Sequence, residues 1–212
     1  MYQPPHFRED DLGVQHALIR AHPLGLLITV GASGPMANPL PFLLEAAPGK
    51  GVLKAHMAKA NQQWREICDG ATALVVFQGV DSYVTPSWYA TKQETGKVVP
   101  TWNYAIVQVR GPARIVDDAQ WLRSQIEALT GEHETARPAP WAVGDAPEPF
   151  VAAQIKGIIG IEIEIADIDG KWKVSQNRPA ADVSGVVSGL RQDGQPHLNP
   201  DMADLVGRYG RS

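Results

Sequence analysis

The chain has 212 residues, 44% of them apolar and 20% charged, with 20 Gly, 17 Pro and one Cys. That apolar share suffices for a packed core and excludes wholesale disorder, while a lone Cys excludes an internal disulfide and a multi-Cys metal site. A formal net charge of −4 excludes the global basic field that drives non-specific nucleic-acid binding, so a DNA role would need a local basic patch.

Met1 to Asp11 lacks the basic-then-apolar pattern of a signal peptide, and no run of about 18 apolar residues occurs. The expectation is a soluble, cytoplasmic protein in which Cys68 is a buried reduced thiol. Asp10 and Asp11 can cap a first helix that runs towards His22 and stops at Pro23. The apolar runs Leu24 to Val30 and Leu40 to Glu45, joined through Gly31-Ala-Ser-Gly34, predict a hairpin. Pro48-Gly-Lys-Gly51 turns the chain into a strand over Val52 to Met57, where Val52, Lys54 and His56 share one face and Leu53, Ala55 and Met57 the other. A helix over Asn61 to Cys68, stopped at Asp69-Gly70, leads to a strand over Ala71 to Gln78.

Thr101 to Arg110 and Ala113 to Val116 are expected strands, broken at Gly111-Pro112, and Asp118 can cap a helix carrying Trp121, Leu122, Ile126 and Leu129. Residues 131–149, with Pro138, Pro140, Pro147 and Pro149, are expected to wander over the surface. Ile159, Ile161, Ile163 and Ile165 alternate with Gly160, Glu162 and Glu164, the clearest strand pattern in the chain. Asp169-Gly170 is expected to turn that strand back into Lys171 to Ser175. Asn177 is expected to cap a helix beginning at Pro179, and Asn199-Pro200 to open a terminal helix. The Ile-rich strand needs an earlier sheet to cover it, which predicts one domain over 1–212. The fold expected is mainly β with peripheral helices, an antiparallel barrel with a Pro-rich surface segment at 131–149 and a C-terminal helical tail.

Four segments concentrate polar and aromatic groups. His56-Met-Ala-Lys-Ala-Asn-Gln-Gln-Trp64 sets His56, Lys59 and Asn61 where a strand meets a helix start, an arrangement suited to a phosphate; alternatively Asn61 is only an N-cap, Lys59 a solvated charge and His56 a surface residue. Tyr83-Val-Thr-Pro-Ser-Trp-Tyr89 and Val99-Pro-Thr-Trp-Asn-Tyr104 offer flat groups for stacking on a planar ligand, with Ser87, Thr101 and Asn103 to bond its edge; a core or a subunit interface would use the same aromatics. Lys173-Val-Ser-Gln-Asn-Arg178 adds Lys173 on an exposed strand face and Gln176 as an adaptable donor and acceptor. The six His show no metal-ligand spacing, and neither a P-loop nor a GxGxxG motif is present, so no metal is expected.

Together with the opening Met1-Tyr-Gln-Pro-Pro-His-Phe7, these segments make the chain resemble the PaiB-like proteins, FMN-binding negative transcriptional regulators of the flavin-binding split-barrel superfamily related to pyridoxamine-phosphate oxidase. The tail after Leu190 is not covered by recognisable motif. The resemblance implies a split β-barrel homodimer with FMN at the subunit interface. In it His56, Lys59 and Asn61 approach the phosphate, with Met57 and Ala58 of the same segment in the cofactor site. Asn38, Pro39 and Leu40 lie along the ring, and the partner subunit's Thr101, Trp102 and Asn103 complete the site. Lys173 and Gln176 are added to this cofactor-binding set. Where the family often has a His after Val107, this chain has Gln108, so no proton-transfer role for a His carries over, and no catalytic residue is assigned.

Two functions compete. A flavin-dependent or flavin-sensing regulator is what the resemblance implies, although the acidic charge and the lack of a basic helix-turn-helix pattern do not support direct DNA binding. A flavin-dependent oxidoreductase acting on a small molecule is the alternative, with Lys173 as the residue to tune the flavin. A binding protein that has lost flavin and holds another planar molecule is a third.

Overall fold

Buried and half-buried side chains alternate along the strand that carries His56. The computed structural model describes residues 1–32, 34–67, 71–192, 194 and 196–210; Cys68 and the Asp69-Gly70 stop lie outside the described residues. In chain order the elements are β1 (Arg8–Glu9), α1 (Leu12–Ala21), β2 (Leu24–Gly31), β3 (Gly34–Pro41), β4 (Leu43–Glu45), β5 (Val52–Ala58) and β6 (Thr72–Val84). There follow α2 (Ala90–Thr95), β7 (Thr101–Val116), α3 (Ala119–Glu134), α4 (Glu148–Lys156), β8 (Ile158–Glu164), β9 (Asp167–Lys173), α5 (Ala180–Arg191) and α6 (Pro200–Tyr209). The protein is mainly antiparallel β with added helices, as the sequence predicts.

The chain divides into two compact units: residues 16–77 with 108–168, and residues 1–15 with 78–107 and 169–212. The long strands β6 and β7 contribute one part to each.

In the first unit the strand order is β3-β2-β6-β7-β8-β5-β4, open at β3 and β4. Leu53, Ala55 and Met57 of β5 are buried, and β5 pairs antiparallel with β8 so that Ala55 faces Ile161 and Leu53 faces Ile163. These side chains, with Leu27, Val75 and Phe77, form the core on one face of the sheet. The Asp118 carboxylate caps α3 by accepting the Trp121 N–H at 2.7 Å, and α3 carries Leu122 into a cluster with Val143, Val151 and Ile155.

In the second unit β9 pairs with β1 and with β7. Helices α5 and α6 bury Val186, Leu190, Met202 and Val206 completely. Asn199 caps α6 through the Met202 N–H at 3.0 Å, with Pro200 at the first helical position as predicted.

Six local expectations are corrected. The second hairpin strand begins at Gly34 rather than Leu40, because an edge strand tolerates Pro35, Pro39 and Pro41, whose missing N–H groups can face away from the ladder. Asn61 opens a five-residue 3-10 turn, Gln62–Glu66, in place of a helix. β7 runs unbroken through Gly111-Pro112; a Cβ on Gly111 would sit 1.7 Å from the Glu164 carbonyl oxygen, so this glycine permits a close strand approach instead of a break. Residues 131–149 are more regular than their prolines suggest, since α3 continues to Glu134, Val143 enters the core and Pro147 precedes α4. Gly170 is strand, not turn: β9 starts at Asp167 and pairs with β1 and β7 rather than β8, and a Cβ on Gly170 would meet the Glu9 carbonyl oxygen at 2.7 Å. Asn177 does not cap α5, whose N-cap is Pro179 with no side-chain bond.

Candidate functional site

In the first unit β5 delivers His56, Met57 and Ala58, and the chain then passes Lys59 and Asn61 into the 3-10 turn. His56 is half-buried, with Nδ1 2.7 Å from Oε1 of Gln125, a buried residue of α3. An amide oxygen only accepts, so Nδ1 is the donor in this contact. The Lys59 ammonium donates to Asp117 Oδ1 at 2.8 Å on the surface. Asn61 accepts the Gln63 N–H at 3.0 Å, the N-cap its alternative reading predicted.

The unexpected member is Gln63, fully buried within that short turn. Its Oε1 accepts from Asn38 Nδ2 at 2.8 Å, while its Nε2 donates towards the carbonyls of Leu27 and Met36 at 3.1 and 3.2 Å and the Thr29 hydroxyl at 3.2 Å. One buried amide thereby joins the β2–β3 hairpin to the 56–61 segment, and so brings Asn38 and Asn61 into one hydrogen-bonded group. Pro39 is exposed, whereas Leu40 and Met57 are buried.

In the second unit the Lys173 ammonium bonds the Thr101 hydroxyl and the Trp102 carbonyl. Asn103 is buried and donates to Ser175 Oγ at 2.9 Å, holding Ser175 at φ 65°, a left-handed conformation uncommon for a residue with a Cβ. Gln176 accepts the Val174 N–H at 2.8 Å and donates to the Trp172 carbonyl at 2.5 Å, so its side chain braces the end of β9. Lys173 is half-buried, not exposed as expected, and burial, joined by the charges of Lys171 and Arg178, pushes its ammonium below the usual lysine range. Trp102 remains 53% exposed, with its ring edge-to-face against Tyr83.

Gln63, Gln125, Lys171 and Arg178 were not singled out by sequence reasoning. A glutamine in a short polar turn carries no periodic signal, and its burial is decided by the hairpin packed over it.

The family model described as "Putative FMN-binding domain" matches residues 1–167. The chain belongs to this FMN-binding family. Among relatives of this FMN-binding chain, an uncharacterized protein of Emericella nidulans is 38% identical over 231 residues, covering 92% of each chain. The Bacillus subtilis "Protease synthase and sporulation protein PAI 2" is 28% identical, covering 97% of this chain and 96% of that protein. The resemblance to PaiB-like proteins is thus borne out. The FAD and heme binding protein from Mycobacterium smegmatis shares the split-barrel fold, with a TM-score of 0.58, 16% identity and coverage of 78% of this chain and 73% of that one.

FMN is the cofactor of this family member. The donors of the first unit suit it: a surface lysine whose ion pair exchanges cheaply for a phosphate, an imidazole, and side-chain amides for a ring edge. No helix among the described residues is long and apolar enough to cross a membrane.

Proposed function

We propose that this chain, residues 1–212 acting as one domain, is a PaiB-like flavin-dependent regulator that responds to its FMN. His56, Lys59 and Asn61 hold the phosphate, with Met57 and Ala58 shaping that segment, and Asn38, Pro39 and Leu40 line the ring. A homodimer completes the site with the partner subunit's Thr101, Trp102 and Asn103, and the half-exposed Trp102 with the exposed Val99 supplies apolar surface for that contact. The observation that supports the site is Gln63, whose side chain hydrogen-bonds Asn38 and Met36 of the hairpin while its backbone N–H donates to Asn61, linking the two segments assigned here to the ring and the phosphate. The name of the Bacillus relative supports a regulatory output, while the net charge of −4 favours regulation without direct DNA contact.

A second reading, a flavin-dependent oxidoreductase, is favoured by Lys173. When bound, FMN supplies hydride or electron transfer. A half-buried cation of depressed pKa, held by Thr101 and Trp102 and assisted in position by Gln176, would stabilise negative charge on the ring.

The visible absorbance spectrum tests both. The purified protein is expected to show a flavin band, or to acquire a bound one on adding FMN; a colourless protein that takes up no FMN would overturn the proposal.

A further inference from the structure

Lys171, Lys173 and Arg178 gather positive charge at the end of β9 in the second unit, and among the described residues none of them forms an ion pair with a carboxylate. Lys171 is only 9% exposed, with its ammonium 5.5 Å from the centre of the Tyr2 ring and 5.4 Å from that of Tyr104. Lys173 stands 5.9 Å from the same Tyr104 ring. Arg178 lies 4.7 Å from the centre of the Tyr89 ring and lines an open cavity of about 600 Å³ with Gln176, Val183, Ser184, Val187 and Gly207. Aromatic faces stabilise a cation by less than taking an ammonium out of water costs.

The cluster is also built rather than incidental. The Asn103–Ser175 bond and the Gln176 bonds to the Val174 N–H and the Trp172 carbonyl fix the backbone on either side of Lys173, and Ser175 holds a positive φ there. Asp169, the acid nearest along β9, is engaged by the N-terminal ammonium at 2.9 Å.

We propose that Lys171, Lys173 and Arg178 form a binding site for the oxyanion of a second small molecule, an acidic substrate or effector that the protein takes in addition to FMN. This rests on the first of the two readings above, in which the 56–61 segment holds the FMN phosphate and Lys173 is not engaged by the flavin ring, so that no anion is assigned to these cations. Arg178 supplies a planar fork for a phosphate or carboxylate, and Lys171 and Lys173 supply point charges.

The test is titration of FMN-saturated protein with inorganic phosphate at constant ionic strength, followed by calorimetry, for the wild type and for the double variant Lys171→Gln/Arg178→Gln. The variant is expected to bind phosphate about tenfold more weakly while its FMN affinity stays within about twofold of wild type. Arg178→Lys, which keeps the charge, is expected to retain most phosphate binding and serves as the folding control. Absence of phosphate binding in the wild type, or equal binding in the double variant, would overturn the proposal. Parallel loss of FMN and phosphate affinity would also overturn it, by assigning the cluster to FMN itself. If the wild type takes up no FMN yet binds phosphate through these residues, the anion site stands and the flavin reading fails instead.

Discussion

Gln63 shows how much a single buried side chain can organise. Replacing it with Ala leaves the buried Leu27 carbonyl and the partly buried Asn38 amide and Met36 carbonyl short of a partner, so Gln63→Ala is expected to lower stability by about 2 kcal/mol. Urea unfolding measures this, and FMN affinity should fall in the same variant because the hairpin and the phosphate segment come apart. Tyr209 makes a different kind of contact, donating to Glu9 Oε2 at 2.7 Å. Burial, then that hydrogen bond and the Glu9 charge, raise its phenol well above the ordinary tyrosine range. The folded state therefore holds this proton after the unfolded chain has lost it, and the associated stability is complete below about pH 10 and is lost as pH rises beyond it. Tyr209→Phe is expected to be less stable than wild type at pH 7 and to lose less stability between pH 9 and 11, as read from thermal unfolding.

The strands were legible wherever one face is dry. The Ile159 to Ile165 pattern marks β8, and the alternation over Val52 to Met57 places His56 opposite the core face, as found. Capping chemistry was equally readable at Asp11, Asp118 and Asn199, because it depends on neighbours in sequence. Glycine and proline were the misleading signals: Gly111 and Gly170 mark close approaches of other strands, a tertiary fact that mimics a turn in one dimension. The same geometry gives a prediction. Gly111→Ala drives a methyl group into the Glu164 carbonyl, and it is expected to destabilise the protein by about 2–3 kcal/mol in urea unfolding, with loss of the β7–β8 register. For the candidate site, local motifs marked the segments; the partners that position them, Gln125 for His56 and Asp117 for Lys59, come from distant sequence and could not be read there.

At the scale of the whole molecule, the family makes this a flavin protein, and its net charge bears on the output. With a net charge of −4, a regulator that works without touching DNA is expected to give no gel shift at physiological salt, and a shift persisting there would restore direct binding. Sedimentation of FMN-loaded protein is expected to show a dimer, and a monomer carrying tightly bound FMN would remove the partner's contribution from the site. The central claim is that the 56–61 segment holds the FMN phosphate. Comparing the affinities of FMN and riboflavin for the wild type and for Lys59→Ala/Asn61→Ala tests it most directly: the wild type should prefer FMN and the double variant should lose that preference, whereas an unchanged preference in the variant would contradict the account.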